Sequence, residues 1–231
     1  GKWLNAGQTC IAPDYLLVPR NARDGLIEAI GAAVRTRYAS IAGNPDYTSI
    51  VNEGQYRRLR GYLDEAAGRG VRCLELAPCD SAIADAQRLI PPTLVIDPPD
   101  DLAIMREEIF GPILPLKTYG TLDEAIAYIN DYPRPLSLYY FDNDARRVET
   151  MLERTVAGGV SINDTVMHYA QERLPFGGVG PSGMGRYHGR DGFETFSHHK
   201  AVLFQSRLSS MALFKPPYRG LADTLVKFLT R

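Results

Sequence analysis

Short apolar runs rich in β-formers alternate with helical patterns along most of the chain, and few architectures accept that order except β-α-β units around a mostly parallel sheet. The strand runs are Tyr15 to Val18, Val71 to Leu76, Thr93 to Ile96, Ile113 to Thr118, Leu136 to Phe141 and Val160 to Ile162. Several are continuously apolar, as in a sheet covered on both faces. Between them Tyr56, Leu59, Leu63 and Ala66 repeat on one helical face, and Val148, Met151 and Leu152 do so within Asp144 to Arg154. Thr121 precedes Glu124 by three, the spacing of a capped helix start. The expected fold is therefore α/β, with helices on both faces of a mostly parallel sheet. Pro91-Pro92 and Asp97-Pro98-Pro99-Asp100 bracket one strand with breakers, and a glycine-rich loop runs from Gly177 to Gly185.

Beyond that loop the order changes. Thr195 to Gln205, with Phe196, Val202 and Phe204, predicts a strand outside the alternating series, and such a strand pairs with a larger subunit or a second copy of the chain. A tail follows, in which Leu221, Leu225, Phe228 and Leu229 mark a short amphipathic helix. Lys227 and Arg231 within so short a segment favour packing over membrane contact. The expected organisation is a body over 1–194, a protruding bridging strand over 195–207 and a tail over 208–231.

Composition narrows the function classes. In 231 residues, 26 basic side chains face 27 acidic ones, and a net charge of -1 excludes nucleic-acid binding through bulk electrostatics. No apolar run approaches the roughly 18 residues that span a bilayer. Three cysteines, an odd and sparse set, suit a reducing, cytoplasmic setting rather than a disulfide scaffold. The four histidines have no metal spacing, so no metal site is expected. The chain opens on Gly1-Lys2-Trp3-Leu4 without Met, as a portion of a longer protein would.

Cys10 is the first candidate for chemistry. A thiol becomes an effective nucleophile where backbone N–H groups or a positive charge stabilise its thiolate. Cys73 lies in an apolar strand and Cys79 follows a proline loop, so both read as packing residues. Cys10 instead sits in the small, polar segment Asn5-Ala6-Gly7-Gln8-Thr9-Cys10. Asn163 ends a strand, where open α/β sheets place their ligands. Gly178-x-Gly180-x-x-Gly183 formally fits the dinucleotide fingerprint, yet no apolar strand precedes it, Pro181 interrupts it, and no acidic residue lies about 20 positions on. That loop reads as a packing turn.

The segment Lys2-x-x-Asn5-x-Gly7-Gln8-x-Cys10 resembles the nucleophile motif of the NAD(P)-dependent aldehyde dehydrogenase superfamily, and its continuation Ile11-Ala12-Pro13-Asp14-Tyr15 is most similar to the class 3 branch. Glu107-Glu108-Ile109-Phe110-Gly111-Pro112 is similar to the family's cofactor-contacting segment. Leu174-Pro175-Phe176-Gly177-Gly178, with Gly180, Ser182, Gly183 and Gly185, is similar to its signature glycine loop. The likeness continues through Tyr187-His188-Gly189 and Phe193 to His198. These motifs stand in the family's order over nearly the whole chain.

The resemblance implies that Cys10 attacks an aldehyde carbon to give a thiohemiacetal, that hydride passes to NAD or NADP, and that water hydrolyses the thioester. It implies that the Cys10 backbone N–H helps form an oxyanion hole, that Glu108 holds the nicotinamide ribose hydroxyls and that Phe110 packs near the nicotinamide. Asn163 becomes a support for the active-site loops, and Phe176 faces the substrate channel. Thr165 to His168 could shape the aldehyde mouth. The implied partner is a small aldehyde, aromatic in the members that oxidise coniferyl aldehyde. The implied assembly is a homodimer through the 195–207 strand.

The family's amino-terminal dinucleotide-binding domain, its glutamate base in Glu-Leu-Gly-Gly-Lys and its oxyanion-hole asparagine have no counterpart in these residues. The chain alone is therefore expected to be inactive as a dehydrogenase. Two other readings fit the residues: a thiol hydrolase or esterase pairing Cys10 with a histidine, and a non-catalytic oligomerisation segment.

Overall fold

The computed structural model describes residues 1–207, 216 and 220–230, and divides into two units, Gly1–Thr195 and Phe196–Arg231. In the first unit, strand β1 (Leu16–Pro19) leads into helix α1 (Arg23–Arg37). Helix α2 (Glu53–Gly68), β2 (Arg72–Glu75), α3 (Ser81–Gln87), β3 (Thr93–Ile96) and the short α4 (Ala103–Arg106) follow. The series continues with β4 (Ile113–Tyr119), α5 (Leu122–Asp131), β5 (Ser137–Tyr140), α6 (Ala145–Arg154), β6 (Gly159–Ile162) and α7 (Gly189–Thr195).

The strands form two sheets. Four make a sheet in the order β1-β4-β3-β2, parallel except for the antiparallel β2-β3 pair, and β5 and β6 form a separate parallel pair. Every strand run read from the sequence overlaps one of these six strands, with ends that differ by at most one residue. The split into two sheets was not legible, because apolar runs do not say which run pairs with which.

Adjacent residues of β3 show how the larger sheet is covered. Leu94 packs into a cluster with Val34 of α1, Ala84 of α3 and Leu114, whereas Val95 packs with Tyr56, Leu59, Tyr62 and Ala66 of α2 and with Ile113. Alternate side chains of a strand leave on opposite faces, so helices lie on both. A third cluster joins Ile126 of α5, Leu138 of β5 and Met151 of α6 over the second sheet.

Caps end the helices where the sequence places them. Asn52, Asp80, Thr121 and Asp144 each accept a hydrogen bond from an early backbone N–H of the helix that follows. At Thr121 the box closes differently from the expected pattern: Glu124 reaches past the cap residue to the Gly120 N–H at 2.7 Å.

The expected bridging strand is not formed within this chain. Thr195 is the last residue of α7, and residues 196–206 form no strand. A strand exists only where its N–H and C=O groups pair with a neighbour, and the two sheets among the described residues do not include this segment. Its large apolar side chains are exposed, Phe204 at 90 %. In the tail, helix α8 (Leu221–Leu229) is present as expected; the rest of the expected 208–231 tail lies outside the described residues except for positions 216, 220 and 230. No helix among the described residues is long and apolar enough to cross a membrane.

Candidate active site

Because β1 and β4 are parallel neighbours, with Leu16 opposite Leu116, the segments that precede them leave the same edge of the sheet. Cys10 lies in the first segment and Glu108 and Phe110 lie in the second. Both line one cleft of about 1380 Å³, together with Lys2, Tyr139 and Thr165. The same cleft continues along β1 to Pro19 and reaches Tyr119 and Gly120 at the far end of β4, so it borders both ends of these strands.

The Cys10 turn is bolted to its surroundings by backbone geometry. Asn5, Ala6 and Gly7 all have positive φ, +52°, +49° and +73°. At Gly7 a Cβ would stand 2.1 Å from the Gly111 carbonyl oxygen, so only glycine lets this turn rest on the Glu108–Gly111 loop. Trp3 Nε1 donates to the Pro112 carbonyl at 3.0 Å, and Gln8 spans to residues 49 and 51 through its amide. From the second sheet, the Tyr139 hydroxyl donates to the Ile11 carbonyl at 2.7 Å. The Cys10 side chain is left exposed on the cleft wall.

The neighbouring glutamates, indistinguishable by type, separate by contact. Glu107 accepts from the Tyr62 hydroxyl at 2.6 Å and is structural. Glu108 is exposed, and its carboxylate accepts no hydrogen bond from the described residues. The peptide beside it is fixed from two sides: Arg58 donates to the carbonyls of Glu108 and Ile109 at 3.0 and 2.6 Å, and Asp14 accepts from the Ile109 N–H at 3.1 Å. Phe110 follows in a left-handed conformation, φ +47°, with its ring 39 % exposed to the cleft. Free carboxylate oxygens beside an open aromatic face suit the ribose and ring of a dinucleotide.

Tyr139 lines the cleft with Cys10, and burial pushes its phenol up. Tyr187 is placed by the glycine-rich loop, which closes on itself through a pair of 2.8 Å backbone hydrogen bonds between Phe176 and Tyr187. That loop is a packing turn, as its sequence implies.

One site expectation needs correction. Phe176 is not on the cleft wall: its ring is buried among Tyr169, Tyr187, His168 and His188, because pairing with Tyr187 turns it inward. Asn163, expected as a loop support, follows β6 at φ +59° and staples the loop after β5 by accepting from the N–H and donating to the carbonyl of Asp142, a residue of the cleft wall. No histidine partners Cys10 among the described residues; both His168 nitrogens face serine hydroxyls, Ser137 at 3.0 Å and Ser161 at 3.1 Å.

With this geometry in place, the chain can be set beside known proteins. The model of the aldehyde dehydrogenase family matches residues 1–202. The chain belongs to the aldehyde dehydrogenase family. A coniferyl aldehyde dehydrogenase of a Pseudomonas species is 46% identical over 230 residues, covering 99% of this chain and 48% of that protein. A 4,4'-diaponeurosporen-aldehyde dehydrogenase of Staphylococcus aureus is 47% identical, covering 95% and 47%. Among solved structures, substrate-bound AldH of Staphylococcus aureus superposes with a TM-score of 0.81 at 44% identity, covering 99% of this chain and 48% of that one. The NAD+ complex of a Mycobacterium tuberculosis aldehyde dehydrogenase gives 0.78 at 28% identity, covering 90% and 43%. The chain spans about half the length of the relatives it matches.

Sequence reasoning missed Asp14, Arg58 and Tyr139 as parts of the site. Asp14 had a local signal, four residues after Cys10 in an Ala-Pro-Asp turn; Arg58 and Tyr139 had none, since each reaches the site across a distant pairing.

Proposed function

We propose that this chain supplies the nucleophile side of an NAD- or NADP-dependent aldehyde dehydrogenase that converts an aldehyde to its acid. One observation carries the reading: an exposed cysteine on a braced turn shares a cleft wall with an unengaged carboxylate and an open phenyl ring. The Cys10 sulfur adds to the aldehyde carbon, and the resulting oxyanion lies within the reach of the Cys10 N–H. Glu108 and Phe110 hold the coenzyme ribose and ring, and the bound nicotinamide supplies the hydride acceptor. Loss of hydride leaves a thioester on Cys10, which water hydrolyses to the acid.

An aromatic aldehyde such as coniferyl aldehyde suits the site, because Tyr139 and Phe110 line the same cleft as Cys10 and a similar protein bears that activity in its name. Three free thiols suit a cytoplasmic setting. The exposed Phe196, Val202, Leu203 and Phe204 support contact with a second copy of the chain.

Two results test the reading. The 231-residue chain alone is expected to give no NADH with an aromatic aldehyde while a thiol reagent labels Cys10, because the family's glutamate base lies outside these residues; turnover by the isolated chain contradicts it. In the full-length protein Glu108→Gln is expected to raise the Kd for NAD roughly 10- to 100-fold, the equivalent of about 1.5–3 kcal/mol for hydrogen bonds to a charged group. Titration of nucleotide fluorescence measures it, and an unchanged Kd removes Glu108 from the coenzyme site.

A further inference from the structure

Lys2 is the charged group that the proposed chemistry leaves without a task. Its side chain is 4 % exposed, and its Nζ makes no hydrogen bond among the described residues. Burying an ammonium without hydrogen bonds is costly, so it persists only where nearby negative charge offsets the loss of water. Two carboxylates face it: Asp14, whose Oδ1 is 3.9 Å away, and Glu108 on the cleft wall.

Asp14 links the lysine to the site. It lies between Lys2 and the Glu108–Ile109 peptide and accepts from the Ile109 N–H at 3.1 and 3.3 Å through its two oxygens. The charges around it are Lys2 from the turn before Cys10, Glu108 from the loop after α4, and Arg58 from α2. A carboxylate holds a backbone N–H roughly twice as strongly as a neutral acceptor does. Burial and Glu108 both push the Asp14 carboxyl up, while Lys2, the Ile109 N–H and Arg58 pull it back down.

We propose that Lys2 is a positioning residue for the coenzyme: its buried ammonium holds the Asp14 carboxylate on the Ile109 N–H and so fixes Glu108 and Phe110, which flank that residue. The proposal rests on the reading that Glu108 and Phe110 meet the coenzyme. Its ammonium is buried, so Lys2 acts through Asp14. Without its charge, Asp14 takes up a proton at higher pH, its grip on Ile109 weakens, and the two cleft residues lose their common anchor.

The test is NAD binding to the full-length protein, titrated from neutral into weakly acidic pH, for the wild type and for Lys2→Met, Lys2→Arg and Asp14→Asn. Lys2→Met is expected to raise the Kd about tenfold at neutral pH and to move the acid-side loss of affinity upward by roughly one pH unit. Lys2→Arg keeps the charge and is expected to stay within about threefold of wild type with the same acid limb. Asp14→Asn removes the titrating carboxyl, so its acid limb is expected to flatten, which decides the matter even where Lys2→Met fails to fold. A wild-type acid limb in Asp14→Asn, or wild-type affinity in a folded Lys2→Met, overturns the proposal. If the wild type binds no NAD, the coenzyme reading falls, and this inference with it.

Discussion

Gly7→Ala is expected to destabilise the protein by about 2–5 kcal/mol and to abolish the alignment of Cys10 with the Glu108 loop. Two costs add. An alanine at φ +73° pays about 1–2 kcal/mol for a left-handed backbone. Its Cβ also meets the Gly111 carbonyl oxygen at 2.1 Å, and backbone on both sides prevents an easy retreat. Overpacking of this kind costs about 1–3 kcal/mol or more. Gly43 is the control, since its φ is +70° but nothing lies within 4 Å of its would-be Cβ. Gly43→Ala should show the backbone cost alone. Urea unfolding of both variants separates the terms, and equal losses at the two positions would show that the Gly7–Gly111 contact is not tight.

Cys10→Ala is expected to lower kcat/KM for aldehyde oxidation in the full-length protein by roughly 10⁴-fold or more, as removal of a covalent nucleophile does elsewhere. Coenzyme affinity should stay close to wild type, because Glu108 and Phe110 belong to a different segment that Arg58 and Asp14 hold in place. Cys10→Ser tests whether sulfur itself matters. A hydroxyl adds less readily to a carbonyl and leaves an ester that hydrolyses more slowly than a thioester, so a loss of similar size is expected. A hydrolase that used Cys10 with a histidine would instead show ester cleavage without coenzyme. The serine contacts of both His168 nitrogens argue against that pairing.

Much of this was legible in the sequence because its signals are local. The six strands show as short apolar runs, and Thr121 and Asp144 mark helix starts by side chains that reach only the next turn. Cys10, Glu108 and Phe110 were found through motifs whose residues lie close together in the chain. What failed depended on pairing at long range. Phe176 was expected at the substrate channel, but its bridge to Tyr187 turns the ring inward. Residues 195–205 have the composition of a strand, yet composition supplies no partner to pair with. Lys2 stands in the Cys10 motif, and its burial shows only once the fold closes over it.

The central claim is that Cys10 carries the acyl group during turnover. Full-length protein mixed with an aromatic aldehyde and NAD, quenched in acid and digested, is the most direct test by mass spectrometry. The expected result is an acyl adduct on the peptide containing Cys10, formed only when both aldehyde and NAD are present. Steady turnover with an adduct on another residue, or with none on a Cys10 peptide that is fully recovered, contradicts the account.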